Sequence, residues 1–308
     1  MMVRFEDYDQ VCLITHGRTF TPTQHEVGHF DDWLVMAVGA YLRRWSARRI
    51  KRVDDVDYVR SQLSREPNVL NVIADFIYNP APDEQNVLVF DHHDPATNTG
   101  KCSVHLLMEA LHSQGLLKEV PVLMGQISLW DVVGPQAVPP EDRPDQDKYM
   151  ALLAAEPVNG FDFKTASFIL AMLERSFSIR QFVEEIFNSE TGLGENARRI
   201  YSEILSQREK ALDKIVKTAA VLESPTGIRY AIIHENPAGL TNDLFSRLKV
   251  DILIHPNERT LGALSVVRNS NGKYAETPVA ELVEVHPKQI AFRHPGGSLL
   301  VIYPVVVK

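Results

Sequence analysis

The sequence has few cysteines and no long apolar run. Its 308 residues include two cysteines, Cys12 and Cys102, which excludes a disulfide framework and shows no zinc spacing. No apolar run approaches the ~18 residues of a membrane span, and no signal-peptide pattern stands at the N-terminus. We therefore expect a protein of the cytoplasm, where thiols stay reduced.

Basic charge is also scarce, because 32 Lys and Arg residues face 40 Asp and Glu residues, for a net charge of -8. Sequence-independent nucleic-acid binding rests on many phosphate contacts from Lys and Arg, so an extended nucleic-acid coating is excluded. The charge balance does not exclude an acidic metal site that binds a short phosphorylated substrate. Repeats and low-complexity tracts are absent, and the 44% hydrophobic content is ordinary for a globular protein.

What the first half contains is a recurring pattern, in which an apolar run ends in Asp or His. The runs read VCLIT, VLNVIA and VLVF. Such runs predict buried parallel strands, and ligands bind at the carboxyl edge of open α/β sheets. If only the pair His92 and His93 is considered, a surface turn that happens to hold two histidines is the alternative to a ligand site. The residues that follow the three runs are His16, Asp75, Asp91, His92 and His93.

Two further acidic positions accompany these strand ends. The segment HFDD, residues 29–32, leads into an apolar stretch that predicts a helix over Trp33–Trp45, and Asp131 follows QISLW at the start of a loop. Capping of that helix would by itself explain Asp31 and Asp32, at roughly 0.5–2 kcal/mol. His29 adds ligand character to Asp31.

The order of these segments predicts an α/β protein. The N-terminal part forms a parallel-sheet domain with flanking helices, one of them Ser103–Ser113, and the amphipathic segment Glu195–Leu222 forms a long helix. From Pro225 onward, β-type runs such as Leu282–His286 are separated by Asn, Gly and Pro, which indicates a smaller mixed α/β domain. The expected bounds are 1–190, 191–224 for the linker helix and 225–308.

The smaller domain carries cationic and glycine residues that could face a phosphate. A glycine pair lets backbone amides approach an anion, although a plain tight turn is the alternative. The candidate substrate-binding residues are Arg268, Arg293, His294, Gly296 and Gly297.

The first-half candidates need cations if they meet at one edge, because carboxylates repel one another until an ion lies between them. Mixed imidazole and carboxylate ligands suit Mn²⁺, Fe²⁺, Co²⁺ or Zn²⁺, whereas all-oxygen cages suit Mg²⁺ or Ca²⁺. The lack of thiolate partners argues against a structural zinc site. The set comprises His16, His29, Asp31, Asp75, Asp91, His92, His93 and Asp131.

Together these residues resemble the four ordered motifs of the DHH phosphoesterase superfamily. TH at 15–16 and HFDD at 29–32 together form the first motif, and the others are Asp75 after VLNVIA, DHH at 91–93 and Asp131 after QISLW. The first motif is most similar to the Myg-type branch (melanocyte-proliferating-gene family) of exonuclease-like hydrolases. Eight residues, TPTQHEVG, separate Phe20 from His29 where that branch has none, so His25 is an alternative to His16. The resemblance covers residues 11–135 and, more loosely, the last 80.

The resemblance implies a DHH-type catalytic domain, a DHHA1-like substrate-binding domain and a two-metal centre. Two Mn²⁺ ions are expected, with Mg²⁺, Co²⁺ or Zn²⁺ as alternatives. His16, His29 and Asp75 would hold one ion. The other would be held by Asp31, Asp75, His92 and Asp131, with Asp75 shared. His93, Asp91 and Asp32 would have catalytic roles, with His93 at the scissile phosphate and Asp91 orienting its neighbours.

The implied activity is hydrolysis of phosphodiester bonds in short oligonucleotides or nucleotides, in the manner of an exonuclease or oligoribonuclease. One alternative is a phosphoanhydride hydrolase of the pyrophosphatase kind. The other is a nucleotide- or metal-binding protein that has lost turnover. The expected partner is a phosphorylated small molecule or short oligonucleotide rather than a membrane, and a homodimer is compatible with this assignment.

Overall fold

The computed structural model describes residues 4–20, 25–27, 29–42, 45–51, 56–93, 99–157, 159–237, 239–257, 260–294 and 296–303. The chain divides into two compact units, Met1–Ile204 and Leu205–Lys308. The division falls within one long helix, so it differs from the three-part division expected from the sequence, whose bounds remain a prediction.

The N-terminal unit is built on a parallel sheet. Its strand order is β3-β1-β4-β5, and the short strand β2 pairs antiparallel with the end of β1. The strands are β1 (Gln10–Phe20), β2 (His25–Val27), β3 (Trp45–Lys51), β4 (Val69–Ala74) and β5 (Val87–Phe90). The helices are α1 (Phe30–Tyr41), α2 (Val56–Ser61), α3 (Ser103–Ser113), α4 (Met124–Ser128), α5 (Gln146–Ala154), α6 (Phe163–Arg175), α7 (Ile179–Phe187) and the first half of α8 (Gly192–Thr218).

Both faces of the parallel sheet are covered, which explains why its strands are almost continuously apolar. Neighbouring strand residues point to opposite faces. Leu13 therefore joins the main core with Trp33 of α1, whereas Ile14 packs with Val59 of α2 on the other face. All six residues of β4 are buried. The central strands are thus fixed on both sides, and their carboxyl ends are held in register.

Two expectations for the first 50 residues were wrong in their bounds. Strand β1 continues beyond His16, and Arg18–Phe20 pair with β2, although the polar, proline-containing segment RTFTPTQHEVG predicts a loop from the sequence. Helix α1 begins at Phe30 and ends at Tyr41, and Trp45 belongs to β3. The ring of Trp45 lies 5.2 Å from that of Phe5. An aromatic contact with a remote segment therefore overrides the helical appearance of the sequence. Residues 21–24 of the expected loop lie outside the described residues.

The C-terminal unit is a mixed sheet of six strands in the order β10-β11-β9-β8-β7-β6. Only β7 and β8 pair in parallel within the described sheet. Its strands are β6 (Ala220–Glu223), β7 (Arg229–Ile232), β8 (Ile252–Pro256), β9 (Leu264–Arg268), β10 (Ile290–Arg293) and β11 (Leu299–Ile302), and its helices are α9 (Thr241–Leu248) and α10 (Val279–Leu282). The expected α/β fold class, with a parallel N-terminal sheet, a long helix and a C-terminal mixed sheet, is confirmed.

Short segments of this unit were predicted less well. The run from Leu282 to His286 was expected to be a strand, but α10 ends at Leu282 and the strand is Ile290–Arg293. Helix α8 ends at Thr218, before the expected Leu222. Periodicity cannot separate helix from strand in an apolar run of four residues. Among the described helices, none has the combination of length and apolar character that crossing a membrane requires.

Candidate metal centre

Strand register brings three ligand-type residues to one level of the parallel sheet. Ile14 pairs with Ile73, and Ala74 pairs with Phe90. Continuing the same register places His16 beside Asp75 and Asp75 beside Asp91. Neighbouring strands lie about 4.7–4.9 Å apart, so side chains at one level can share a ligand.

Asp75 occupies an unusual backbone conformation at the end of β4. Its φ of 62° lies in the left-handed region, and its amide donates to the carbonyl of Phe90 at 3.0 Å. A non-glycine residue is held in this region only where its surroundings fix it, at a cost of order 1–3 kcal/mol, although Asp tolerates it better than most residues. The buried Asp75 carboxylate lies 2.8 Å from His16 Nδ1. Such an outlier points to a functional position.

The N-terminus of α1 supplies the next group. His29 is the N-cap, and its amide donates to Asp32 Oδ2 at 3.0 Å. Asp32 also accepts a hydrogen bond from the Thr15 hydroxyl and lies 3.2 Å from His16 Nδ1. Asp32 therefore caps the helix and contacts the cluster at once. The side chain of His25, the alternative to His16, is outside the part of the chain that the structure describes.

Asp31 differs from Asp32 in its environment. Its carboxylate is fully buried, and neither oxygen has a hydrogen-bond partner among the described residues. Burial, together with the charges of Asp75, Asp32 and Asp131, raises the pKa of Asp31 well above its ordinary value. The backbone amide of Asp32 offsets only part of this effect. A carboxyl in this environment either takes up a proton or lies beside a cation.

The two histidines of the DHH segment have different partners. His92 Nδ1 lies 3.2 Å from Ser103 Oγ, and His92 Nε2 lies 3.2 Å from Asp131 Oδ2. His93 Nδ1 lies 2.8 Å from Asp91 Oδ1. The two rings are stacked with their centroids 4.1 Å apart. His92 is buried in the cluster, whereas the side chain of His93 is 29% exposed and can meet a substrate.

Asp131 is presented by a π-helical turn, Leu129–Val133, that continues α4. It was expected at the start of a loop, but regular structure extends to Gly134, whose φ of 110° ends the turn. Single π turns within helices are rare and occur often at functional sites. The turn places the Asp131 side chain, which is 10% exposed, against His92.

The expected first-half residues come together as three overlapping groups. In each group, one ligand atom per residue lies within 4.8 Å of the others. Asp75 belongs to two groups, and His29 also belongs to two. The groups are His16, His29, Asp32 and Asp75, then Asp75, Asp91, His92 and His93, then His29, Asp31 and Asp131. The grouping differs from the expected ligand sets in that Asp32 lies with His16, and Asp31 lies with His29.

Protonation within the cluster reflects its excess of negative charge. Burial favours the neutral imidazole of His16, but hydrogen bonds to Asp32 and Asp75 outweigh it and raise its pKa to about 9. Burial and the charges of Asp75 and Asp32 raise the pKa of Asp131 to about 7. The groups of the cluster thus take up protons to limit repulsion between the carboxylates.

The pKa values of His92 and Asp91, by contrast, are lowered. Burial lowers the pKa of His92 below its ordinary value, although nearby carboxylates oppose this. His92 is therefore neutral near pH 7, as a metal ligand must be. For Asp91, burial acts to raise the pKa, but hydrogen bonds with His93 outweigh it and the pKa is lowered. Asp91 thus remains an ionised partner for His93.

The donor set fits divalent cations. Both oxygens of Asp31 and Oδ2 of Asp91 are buried and have no hydrogen-bond partner among the described residues. Such atoms are uncommon in native structures and call for an explanation such as a bound ion. Mixed nitrogen and oxygen ligands suit Mn²⁺ and related ions. The residues that could hold ions are therefore His16, His29, Asp31, Asp32, Asp75, Asp91, His92 and Asp131.

The five substrate-binding candidates belong to the C-terminal unit. Arg268 is 8% exposed, and its Nη1 donates to the carbonyl of Tyr274 at 3.0 Å. Arg293 is exposed on β10. The Gly296 amide donates to His294 Nδ1 at 3.1 Å, and Gly297, with a φ of 68°, closes the turn between β10 and β11. Phosphate binding by these residues stays a prediction.

Three hydroxyl groups near the centre were given no role in the sequence analysis, although Thr15 belongs to the TH motif. Thr15 donates to Asp32, and Ser103 lies against both His92 and Asp75. Behind them, Ser128 Oγ lies 2.9 Å from His105 Nδ1 and accepts from the Cys102 amide at 3.2 Å. The only available signal was position, since Thr15 precedes His16 and Ser103 begins the expected helix.

Comparison with known proteins gives distant likenesses. No protein-family model and no curated protein match the chain. An uncharacterised protein from Helicobacter pylori is 12% identical with a TM-score of 0.33, over 96% of this chain and 93% of that chain. The DHH domain of a protein described as a member of a family of ribosomal proteins is 14% identical with a TM-score of 0.35, over 97% and 83%.

RecJ from Thermus thermophilus, solved in complex with Mn²⁺, is 12% identical with a TM-score of 0.34. The match covers 95% of this chain and 49% of RecJ. A second RecJ structure contains Mg²⁺ and gives a TM-score of 0.35. At these identities and TM-scores, the likenesses carry no argument about function, which rests on the residues of this chain.

Proposed function

We propose that the chain is a metal-dependent phosphoesterase of the DHH superfamily, which hydrolyses phosphodiester bonds of short oligonucleotides or nucleotides. The observation that carries the proposal is the buried Asp31 carboxylate, unpartnered among the described residues, within a cluster of acids and imidazoles. Clusters of this kind bind divalent cations, and paired divalent cations catalyse phosphoryl transfer. Membership of the Myg-type branch is part of the proposal and rests on the first motif alone, whereas the order of the motifs supports the superfamily.

Asp75 is the residue best placed to be shared between two ions, because it lies in both four-residue groups. His16, His29 and Asp32 would complete one set, and the remaining ligands would come from Asp31, His92 and Asp131. Two divalent ions bound there, with Mn²⁺ the proposed species, would lower the pKa of a water and neutralise charge on the phosphoryl oxygens.

His93 and Asp91 have the geometry of an orienting pair beside the reacting phosphate. The Asp91 carboxylate lies 2.8 Å from His93 Nδ1, which directs the other ring nitrogen away from it. The His93 side chain is partly exposed, so that nitrogen can donate a proton to the leaving oxygen. The lowered pKa of Asp91, which comes from its hydrogen bonds with His93, keeps this carboxylate ionised.

Hydrolysis assays with Mn²⁺ distinguish the proposed activity from its alternatives. We expect release of nucleotides from a 5-mer oligonucleotide, with little phosphate release from pyrophosphate. Release from pyrophosphate alone would indicate a phosphoanhydride hydrolase. If the protein binds Mn²⁺ and nucleotides but hydrolyses neither substrate, it is a binding protein and the proposed activity is wrong. Size-exclusion chromatography would test the homodimer.

A further inference from the structure

A cavity of about 410 Å³ opens in the N-terminal unit beside the candidate metal centre. Its lining includes Asp91, which also belongs to the group formed with Asp75, His92 and His93. Asp91 therefore belongs both to the wall of the cavity and to the cluster. The volume of the cavity lies near the lower end of the roughly 300–1,000 Å³ range of small-molecule sites, which suits one ring system better than an extended chain.

The lining has the chemistry of a ring-binding site. Its apolar lining residues include Ile77, Val89, Phe90 and Leu106. Asn79 adds an exposed carboxamide that can both donate and accept hydrogen bonds. Among the described residues that line the cavity, there is no Lys or Arg, so nothing in it attracts a second phosphate. Apolar walls with a few polar groups are typical of small-ligand pockets.

The exposed apolar side chain of Ile77 is a surface that a bound ligand would cover. This side chain is 62% exposed, although it follows the buried end of β4 and the next residue, Tyr78, is buried. Covering apolar area releases roughly 25 cal/mol per Å², so an apolar ring placed against Ile77 would bind more tightly than a bare sugar.

We propose that this cavity is a nucleobase subsite, which holds the ring of a nucleotide whose phosphate lies at the metal centre. This inference rests on the proposed function, which it deepens. Selection through the base also agrees with the net charge of -8, because the chain offers little basic surface for recognition of an extended phosphate backbone.

The test compares binding of AMP with binding of ribose 5-phosphate, which carries the same phosphate and sugar type without a base. Equilibrium dialysis in the presence of Mn²⁺ should show at least tenfold tighter binding of AMP. The Ile77→Asn variant, which removes the apolar wall without adding charge, should reduce this preference at least threefold. In the matched control Val122→Asn, a branched aliphatic residue that is 84% exposed outside the cavity is changed, and the preference should stay.

Equal binding of the two ligands by the wild-type protein would overturn the proposal. So would a preference for AMP that Ile77→Asn leaves unchanged, because the base would then be bound elsewhere. Neither result depends on turnover. Loss of the base subsite is therefore distinguished from failure of the proposed activity, which the oligonucleotide assay measures.

Discussion

The Ser103 hydroxyl and the Asp75 carboxylate both lie near His92 Nδ1, and together they leave Nε2 as the nitrogen available to a metal. The hydroxyl lies 3.2 Å from His92 Nδ1 and donates to Asp75 Oδ1 at 3.4 Å. Because its single proton goes to the carboxylate, the hydroxyl accepts from His92 Nδ1–H, and Nε2 keeps its lone pair. Nε2 is the atom that lies 3.2 Å from Asp131. Ser103 is thus a positioning residue.

The first prediction concerns the Ser103→Ala variant. Loss of a hydrogen bond that orients a ligand lowers metal affinity by roughly 10–100-fold. We expect titration calorimetry with Mn²⁺ to show a decrease of this size. The thermal unfolding of the metal-free protein should change little.

The matched control is Ser113→Ala, because Ser113 is an exposed serine at the other end of α3. It should bind Mn²⁺ as the wild-type protein does. Wild-type affinity in Ser103→Ala would show that the hydroxyl has no positioning role.

The sequence indicated the ionisable residues of the site but not their partners. His16, Asp75 and Asp91 each follow an apolar run, and that pattern is local. The contacts of Thr15 and Ser103 depend on strand register and on where α3 begins. A local sequence pattern predicts neither of these. Hydroxyl groups are common on protein surfaces, so their type alone carries little information.

Among the elements, the loop between β4 and β5 links the metal centre to the proposed subsite. Glu84 fastens this loop, since its carboxylate accepts from the Ala81 amide at 2.7 Å and from the Tyr78 hydroxyl at 2.8 Å. Arg60 of α2 donates to the same carboxylate at 3.0 Å. Burial acts to raise the pKa of Glu84, but these hydrogen bonds outweigh it and the pKa is lowered.

The second prediction is a pH-dependent stability difference between the wild-type protein and Glu84→Gln. A carboxyl with a lowered folded pKa stabilises the protein above its unfolded value of about 4.3, and this contribution disappears as the pH falls through the lower folded pKa. Urea unfolding at about pH 6 should show a deficit of roughly 1 kcal/mol in Glu84→Gln. The deficit should shrink toward about pH 4.

Asp83→Asn provides the control, because Asp83 is the exposed neighbour of Glu84. Its stability should follow that of the wild-type protein at both pH values. A deficit in Glu84→Gln that does not vary with pH would mean that the ionised carboxylate does not fasten the loop.

Helices and strands with a clear sequence pattern were predicted better than elements of three or four residues. The bounds of α3, Ser103–Ser113, match the expected helix, and β5 matches the run VLVF. Strand β2 has three residues and α10 has four. Elements of this length are held by tertiary pairing, as in the contact of Arg18 with Val27, rather than by intrinsic propensity. The sequence therefore predicted the central sheet and missed the peripheral pieces.

On the scale of the whole molecule, the candidate site lowers the stability of the metal-free protein. Asp31 is fully buried and has no hydrogen-bond partner among the described residues, and its neighbours include Asp32, Asp75 and Asp131. Burial of this carboxyl among other acids costs free energy in either form, because it must stay charged in an apolar site or take up a proton. Cations bound at this site would offset the cost and would couple folding to metal binding.

The third prediction is that Asp31→Asn has opposite effects with and without metal. Without metal, replacement of this ionisable carboxyl by an amide should stabilise the protein at about pH 7 by an amount on the order of 1–3 kcal/mol, because the unfolded chain carries Asp31 ionised and folding raises its pKa. With Mn²⁺, the increase in Tm that the wild-type protein shows should fall, because a ligand is lost. Thermal unfolding with EDTA and with Mn²⁺ measures both effects.

Asp7→Asn serves as the control, since Asp7 is exposed near the N-terminus. It should behave as the wild-type protein in both conditions. Destabilisation of the metal-free protein by Asp31→Asn would contradict the proposal that Asp31 is a metal ligand whose burial destabilises the metal-free protein.

The central claim is that the acids and imidazoles of the N-terminal unit hold paired divalent ions. The most direct measurement is the number of Mn²⁺ ions bound per folded chain, by equilibrium dialysis of the wild-type protein and of Asp75→Asn. Asparagine tolerates the left-handed backbone at this position, so the substitution removes the charge without added strain. We predict two ions in the wild-type protein and a loss of both high-affinity sites in the variant, with circular dichroism unchanged. One ion or none in the wild-type protein, or undiminished binding in Asp75→Asn, would contradict the account.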